Sequence, residues 1–60
     1  MKDLIYKPED LAEYLGVTVG ALAQMRYRGN GPKFVKLGKS IRYSDAAIQE
    51  WLEQNTKDRT

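Results

Sequence analysis

Leu11-Ala12-Glu13-Tyr14-Leu15-Gly16-Val17-Thr18 reads as the end of one helix, a tight turn and the cap of another. Leu11, Ala12 and Leu15 recur at the spacing of one helix face, with Tyr14 on its flank. Gly16 is the residue type that takes a left-handed backbone and so stops a helix. Val17 is expected to pin the turn as a buried residue. Thr18 is a good cap for a second helix, because its hydroxyl can accept from a free N–H in the next turn.

Toward the N-terminus, Pro8 suits the first position of a helix, where its missing N–H costs nothing. Lys7 is a poor cap, but Glu9 and Asp10 place negative charge where the helix dipole favours it. The first helix is therefore expected over residues 8–15. Residues 1–7 read as a lead-in, with Leu4 and Tyr6, or Ile5, covering the edge of the core.

Toward the C-terminus, a second helix is expected from Val19 to about Arg28. With Leu22 at the centre of its inward face, a 3.6-residue period carries Met25, Arg26 and Gly29 to nearby angles. Gly20, Ala23, Gln24 and Tyr27 fall on the opposite side, with Arg28 beside them. Gly29-Asn30-Gly31-Pro32 then stops the helix. Lys33–Leu37 and Ser40–Tyr43 are short runs rich in aromatic and β-branched residues, with a tight hairpin turn expected at Gly38-Lys39. Alternation places Val35, Leu37, Ile41 and Tyr43 on one face, and Lys36 and Arg42 on the other. So small a hairpin must lean on helices. Ser44 caps a third helix, whose stripe is Ala47, Ile48, Trp51 and Leu52, with Trp51 read as core. From Gln54 to Thr60 the chain is polar and is expected to fray. The expected fold is mainly α with a small β-hairpin, in the order α-α-β-β-α. It forms one domain over residues 1–60, with its core at about 5–54.

Composition narrows the function classes. There is no Cys, hence no disulfide framework and no thiolate metal site. There is no His, the commonest general base and metal ligand. No acidic pair is placed to share acid and base roles, so neither an enzyme nor a cofactor is expected. No apolar run approaches the roughly 20 residues of a membrane span. The N-terminus lacks an apolar signal core, so the expected location is cytoplasmic.

Charge is segregated. Arg26, Arg28, Lys33, Lys36, Lys39 and Arg42 give residues 26–42 a net +6 without one acid. Residues 1–25 and 43–60 each carry −2, so the overall +2 conceals a strongly basic centre. Such a field attracts a polyanion, although a solvated basic loop explains the charges equally well on their own. The order of elements separates the two readings. Helix, glycine turn and helix, followed by a basic hairpin, is a winged helix-turn-helix. In that arrangement the second helix enters the DNA major groove and the wing places cations on a phosphate strand or in the minor groove.

Leu11-Ala12-Glu13-Tyr14-Leu15-Gly16-Val17-Thr18, Leu22, Gly29–Gly38, Ile41-Arg42-Tyr43, Ile48 and Trp51-Leu52 together resemble the MerR-like winged-helix domain of phage excisionases and AlpA-type regulators. The resemblance runs from about Ile5 to Gln54. It implies a second helix that reads double-stranded DNA and a wing that grips the backbone. Excisionases bind repeated sites beside a recombination site, bend the DNA and steer an integrase toward excision. AlpA-type relatives regulate transcription. Either role implies a place in the cytoplasm of a bacterial host, at the nucleoid. Only about ten residues lie outside the domain, which favours the excisionase as the expectation.

The chain departs from the family pattern at the second helix. Members often carry Arg at several outer positions and Trp at the inner one, whereas here Gly20, Ala23 and Gln24 lie outside and Met25 inside. Gln24 can pair with an adenine edge, and Tyr27 and Arg28 can reach bases or phosphates. Gly20 allows close backbone approach, and with so few side chains for base readout specificity is expected to lean on DNA shape and on cooperative binding. Thr18, Lys36, Lys39, Ser40 and Arg42 complete the expected contact set, with Arg42 also able to brace the wing. Arg26 points toward the core side, where an ion pair with Glu13 or Asp10 is the structural expectation. Acidic flanks and a basic centre also allow head-to-tail contact between copies on adjacent repeats. The rival class is a protein-interaction module docking through the basic face, which would bind DNA weakly and with little salt dependence.

Overall fold

Glycine and hydroxyl chemistry sets the helix limits. The computed structural model describes residues 4–57. Its first helix, α1 (Pro8–Leu15), starts on proline without a side-chain cap from Lys7 and ends on Gly16 at φ 73°. The second, α2 (Val19–Arg28), starts where the Thr18 hydroxyl accepts from the Ala21 N–H at 2.9 Å, and ends on Gly29 at φ 74°. Only glycine takes these left-handed turns without cost. The third, α3 (Asp45–Gln54), is capped by Ser44 Oγ, which accepts from the Ala47 N–H at 3.1 Å.

The lead-in contributes a strand of its own. β1 (Ile5–Tyr6) pairs antiparallel with β3 (Ser40–Ser44), and β3 pairs with β2 (Val35–Leu37), giving the order β1-β3-β2. The hairpin thus becomes a three-stranded sheet, and the rest of the chain keeps the order α-α-β-β-α. The Leu4 carbonyl accepts from the Asp45 N–H at 2.8 Å, which ties this strand to the start of α3.

The sheet register revises the expected wing faces. Val35 lies opposite Arg42, Lys36 opposite Ile41, and Leu37 opposite Ser40. Residues directly opposite in an antiparallel pair share a face. Val35, Leu37, Ser40 and Arg42 therefore share the outer face, and Lys36 shares the other with Ile41 and Tyr43. Val35 and Leu37 are 49% and 58% exposed, while Tyr43 is fully buried. Alternation holds within each strand; the register between the strands places Val35 and Leu37 outside. The turn between them is two residues long, with Gly38 at φ 64° and no other positive-φ residue beside it. That is the φ pattern of a type II′ turn, which matches the twist of the strands it joins.

Among the described residues, the four large side chains that are completely enclosed are Leu11, Leu22, Tyr43 and Ile48, one each from α1, α2, β3 and α3. Ala12 completes the centre, with Tyr6, Leu15, Val17, Met25, Ile41 and Leu52 half-buried around it. Enclosing a large apolar side chain stabilises by about 1.5–3 kcal/mol. Each helix and the central strand therefore hang on about one such residue, as a chain of this size dictates. Trp51, expected in the core, is half-buried at the edge instead. Its indole N–H donates to the Asn30 carbonyl at 3.0 Å, clasping α3 to the loop after α2. Around Gln54 the chain does not fray at once. Asn55 Nδ2 donates to the Trp51 carbonyl at 2.8 Å, and Thr56 Oγ1 to the Leu52 carbonyl at 2.9 Å. The fraying expected over residues 58–60 lies outside the described residues.

Candidate nucleic-acid interface

Burial of Leu22 decides which side of α2 faces water. Met25 and Arg26 lie half-buried on the Leu22 side, while Gly20, Ala23, Gln24, Tyr27 and Arg28 are all exposed. The structure thus brings five of the expected contact residues onto one accessible, acid-free helix surface. Tyr27 is 91% exposed, so it is free of the wing and projects into solvent near the C-terminal end of that surface. A side chain added at Gly20 would come no closer than 3.8 Å to anything, the nearest atom being Thr18 Oγ1. Packing within the fold therefore does not demand glycine there. Thr18 is exposed at the N-terminus of α2, with its hydroxyl engaged in the cap.

The hairpin carries its cations on both sides. Lys36, Lys39 and Ser40 are exposed. Lys39 occupies the second position of the turn and so forms the tip. Arg42 is half-buried, and its Nη1 donates to the Ile41 carbonyl at 2.7 Å. That contact braces the returning strand. The register separates Arg42 from Lys36, which lies on the opposite face rather than beside it.

Arg26 takes aromatic partners in place of the carboxylate expected for it. Its Nη1 donates to the Tyr43 hydroxyl at 2.7 Å, and its guanidinium carbon lies 5.9 Å from the centre of the Phe34 ring. Phe34 and Tyr43 meet at 6.3 Å between centroids with a 59° tilt. An open groove of about 380 Å³ runs beside this cluster, walled by Met25, Arg26, Pro32, Lys33 and Phe34. The apolar floor and two cationic walls place further positive charge between the helix and the wing. Sequence spacing shows that Arg26 faces inward, but nothing in it pairs position 26 with position 43.

On the far side of the sheet, the Tyr6 hydroxyl donates to Asp45 Oδ1 at 3.4 Å. Partial burial, then the Asp45 carboxylate, raises the Tyr6 pKa above the usual tyrosine value, because both disfavour the phenolate. This group lies among the strands and away from α2.

A capped helix, a glycine turn, an exposed acid-free second helix and a basic hairpin together make a winged helix-turn-helix DNA-binding protein. The chain belongs to the helix-turn-helix domain family, whose profile matches residues 5–56. No curated protein matches it. Among the described residues, no helix is long and apolar enough to cross a membrane.

Proposed function

We propose that this protein is an excisionase. It binds repeated duplex sites beside a recombination site, bends the DNA and directs an integrase toward excision, without catalysing a reaction itself. The observation that carries this reading is the near-neutral exposed face of α2, built from Gly20, Ala23 and Gln24, next to a cationic wing. A helix with so few base-reading side chains gains little from any single site. Affinity then comes mainly from phosphates and from DNA that deforms easily, which suits an architectural role over a promoter switch. Thr18, Gly20, Ala23, Gln24, Tyr27 and Arg28 form the groove-facing set in this reading, and Lys36, Lys39, Ser40 and Arg42 the grip on the backbone. Copies on neighbouring repeats touch through acidic α1, with Glu9, Asp10 and Glu13 exposed, and a neighbour's basic wing. On this reading the protein works in the bacterial cytoplasm, at the nucleoid.

The test is a recombination assay on attachment-site DNA with the cognate integrase. Added protein should raise excision and suppress integration, and binding to a multi-site fragment should be tighter per site than to an isolated site. Sites confined to promoters, with no effect on recombination, would instead make it a small AlpA-like transcriptional regulator.

A further inference from the structure

We propose that Arg26 is a positioning residue that fixes the orientation of the β2–β3 hairpin relative to α2. On the DNA-binding reading above, it thereby sets the distance between the bases under the helix and the phosphates under the wing. The main packing of α2 is against α1, whereas the wing strand β3 packs against α1 and α3. α2 has a single completely buried residue, Leu22. Met25 packs half-buried beside it, and both contacts are apolar and undirected. Arg26 lies one turn further along the same face, so a directed hydrogen bond there fixes how the helix is turned relative to the wing.

Its partners lie in β3 and just ahead of β2. Tyr43 is in β3 and fully buried, so its hydroxyl is a fixed station for the 2.7 Å hydrogen bond from Arg26. Phe34 immediately precedes β2, and its ring lies under the guanidinium at 5.9 Å. Tyr43 and Phe34 also contact each other, which closes a three-membered bracket between α2, the lead into β2, and β3. A buried phenol hydroxyl needs a partner, and Arg26 provides it. Arginine suits the task because its planar group can donate a directed hydrogen bond and stack on an aromatic face together; lysine cannot do both.

The experiment compares Arg26→Lys, Tyr43→Phe and the double variant with the parent. Arg26→Lys keeps the charge and loses the fork. Tyr43→Phe keeps the ring and its contact with Phe34, leaves every charge in place and removes only the hydroxyl. Three quantities are read: the folded fraction from urea titration, the orientation of the hairpin relative to α2 from residual dipolar couplings of the free protein, and duplex affinity as a function of salt. Both single variants should remain folded and show hairpin couplings that no longer fit the parent's α2 frame. Affinity should fall about tenfold, with the salt slope reduced by about one to two contacts' worth as the wing loses its phosphates. The double variant should be no worse than the singles, since all three break one bracket.

Two outcomes would overturn the proposal. In one, Tyr43→Phe behaves as the parent while Arg26→Lys alone loses affinity, which makes Arg26 a direct DNA contact. In the other, the variants lose folded fraction but each folded molecule keeps the parent's couplings and salt slope, which reduces the bracket to ordinary stabilisation. Should the parent itself bind no duplex, the DNA-binding reading fails separately. The dipolar couplings of the free protein then decide whether the bracket exists.

Discussion

Gly31 marks a place where a side chain does not fit. A Cβ there would come within 2.8 Å of the Met25 Cβ, closer than two such atoms approach in folded proteins. The clash is with the root of the Met25 side chain, so rotating its flexible end cannot relieve it. Gly31→Ala should therefore push the loop away from α2 and cost about 1–3 kcal/mol. A chain of 60 residues commands only about 3–9 kcal/mol of total stability, so that loss would be plain in a urea midpoint. Trimming Met25 to Ala leaves the offending Cβ in place and should not rescue the variant; recovery in that background would mean that the contact is not the cause. The turn residues Gly29-Asn30-Gly31-Pro32 are readable as a helix stop from their types alone. Which of the two glycines is needed for its backbone and which for its lack of bulk is not readable. Gly29 is the left-handed cap, and Gly31 is the close approach. The first role is set by position after a helix. The second depends on a loop folding back over a particular methionine.

The elements themselves are largely legible in the sequence, because caps and periodicity are local. Thr18 and Ser44 announce α2 and α3, and Gly16 and Gly29 announce where α1 and α2 end. The wing is legible as a hairpin but not in the facing of its strands. Alternation fixes faces within a strand, whereas the facing of two strands depends on the register set by the turn. The two-residue turn pairs Leu37 with Ser40, which carries Val35 and Leu37 to the water side with Arg42. Val35→Thr and Leu37→Thr, made together, should accordingly shift stability by no more than about 0.5 kcal/mol, as exposed substitutions do. Ile41→Ala, on the inner face, should cost distinctly more. A pair of threonines that unfolds the protein would point back to the arrangement with Val35 and Leu37 inside. Trp51 departs from its expected place for a related reason. Its spacing puts it on the apolar stripe of α3, but that stripe is wider than the core it meets, so only Ile48 is completely enclosed.

At the scale of the whole molecule, charge and connectivity act together. The acid-free span from Arg26 to Arg42 contains the end of α2 and all of β2, and it reaches into β3; the basic centre of the sequence thus becomes one end of the candidate interface. Opposite it, the N-terminal strand is held to α3 by the Leu4–Asp45 backbone bond and the Tyr6–Asp45 side-chain bond. That second bond carries a pH signature. The folded protein holds the Tyr6 proton above the ordinary value of about 10, whereas the unfolded chain releases it near that value. The contribution is therefore complete below about pH 10 and is lost as pH rises through the higher folded pKa. Urea midpoints of the parent should decline more steeply than those of Tyr6→Phe across this alkaline range. Parallel declines would show that Tyr6 is not responsible, since lysine titration affects both proteins alike.

The hairpin turn at Gly38-Lys39 has a consequence for how such a protein can be remodelled. Two residues in a type II′ turn leave no slack, and each added residue in one strand reverses the facing of everything beyond it. The wing therefore lengthens by matched additions, two residues on each strand, if the tight turn is to close on the same kind of hydrogen-bonded pair. Each such step extends the tip by about 7 Å, roughly two phosphates' rise along the axis of one DNA strand. Reach along a nucleic-acid backbone would then change in whole increments, and single-residue insertions at the tip would be selected against even where the fold tolerates them.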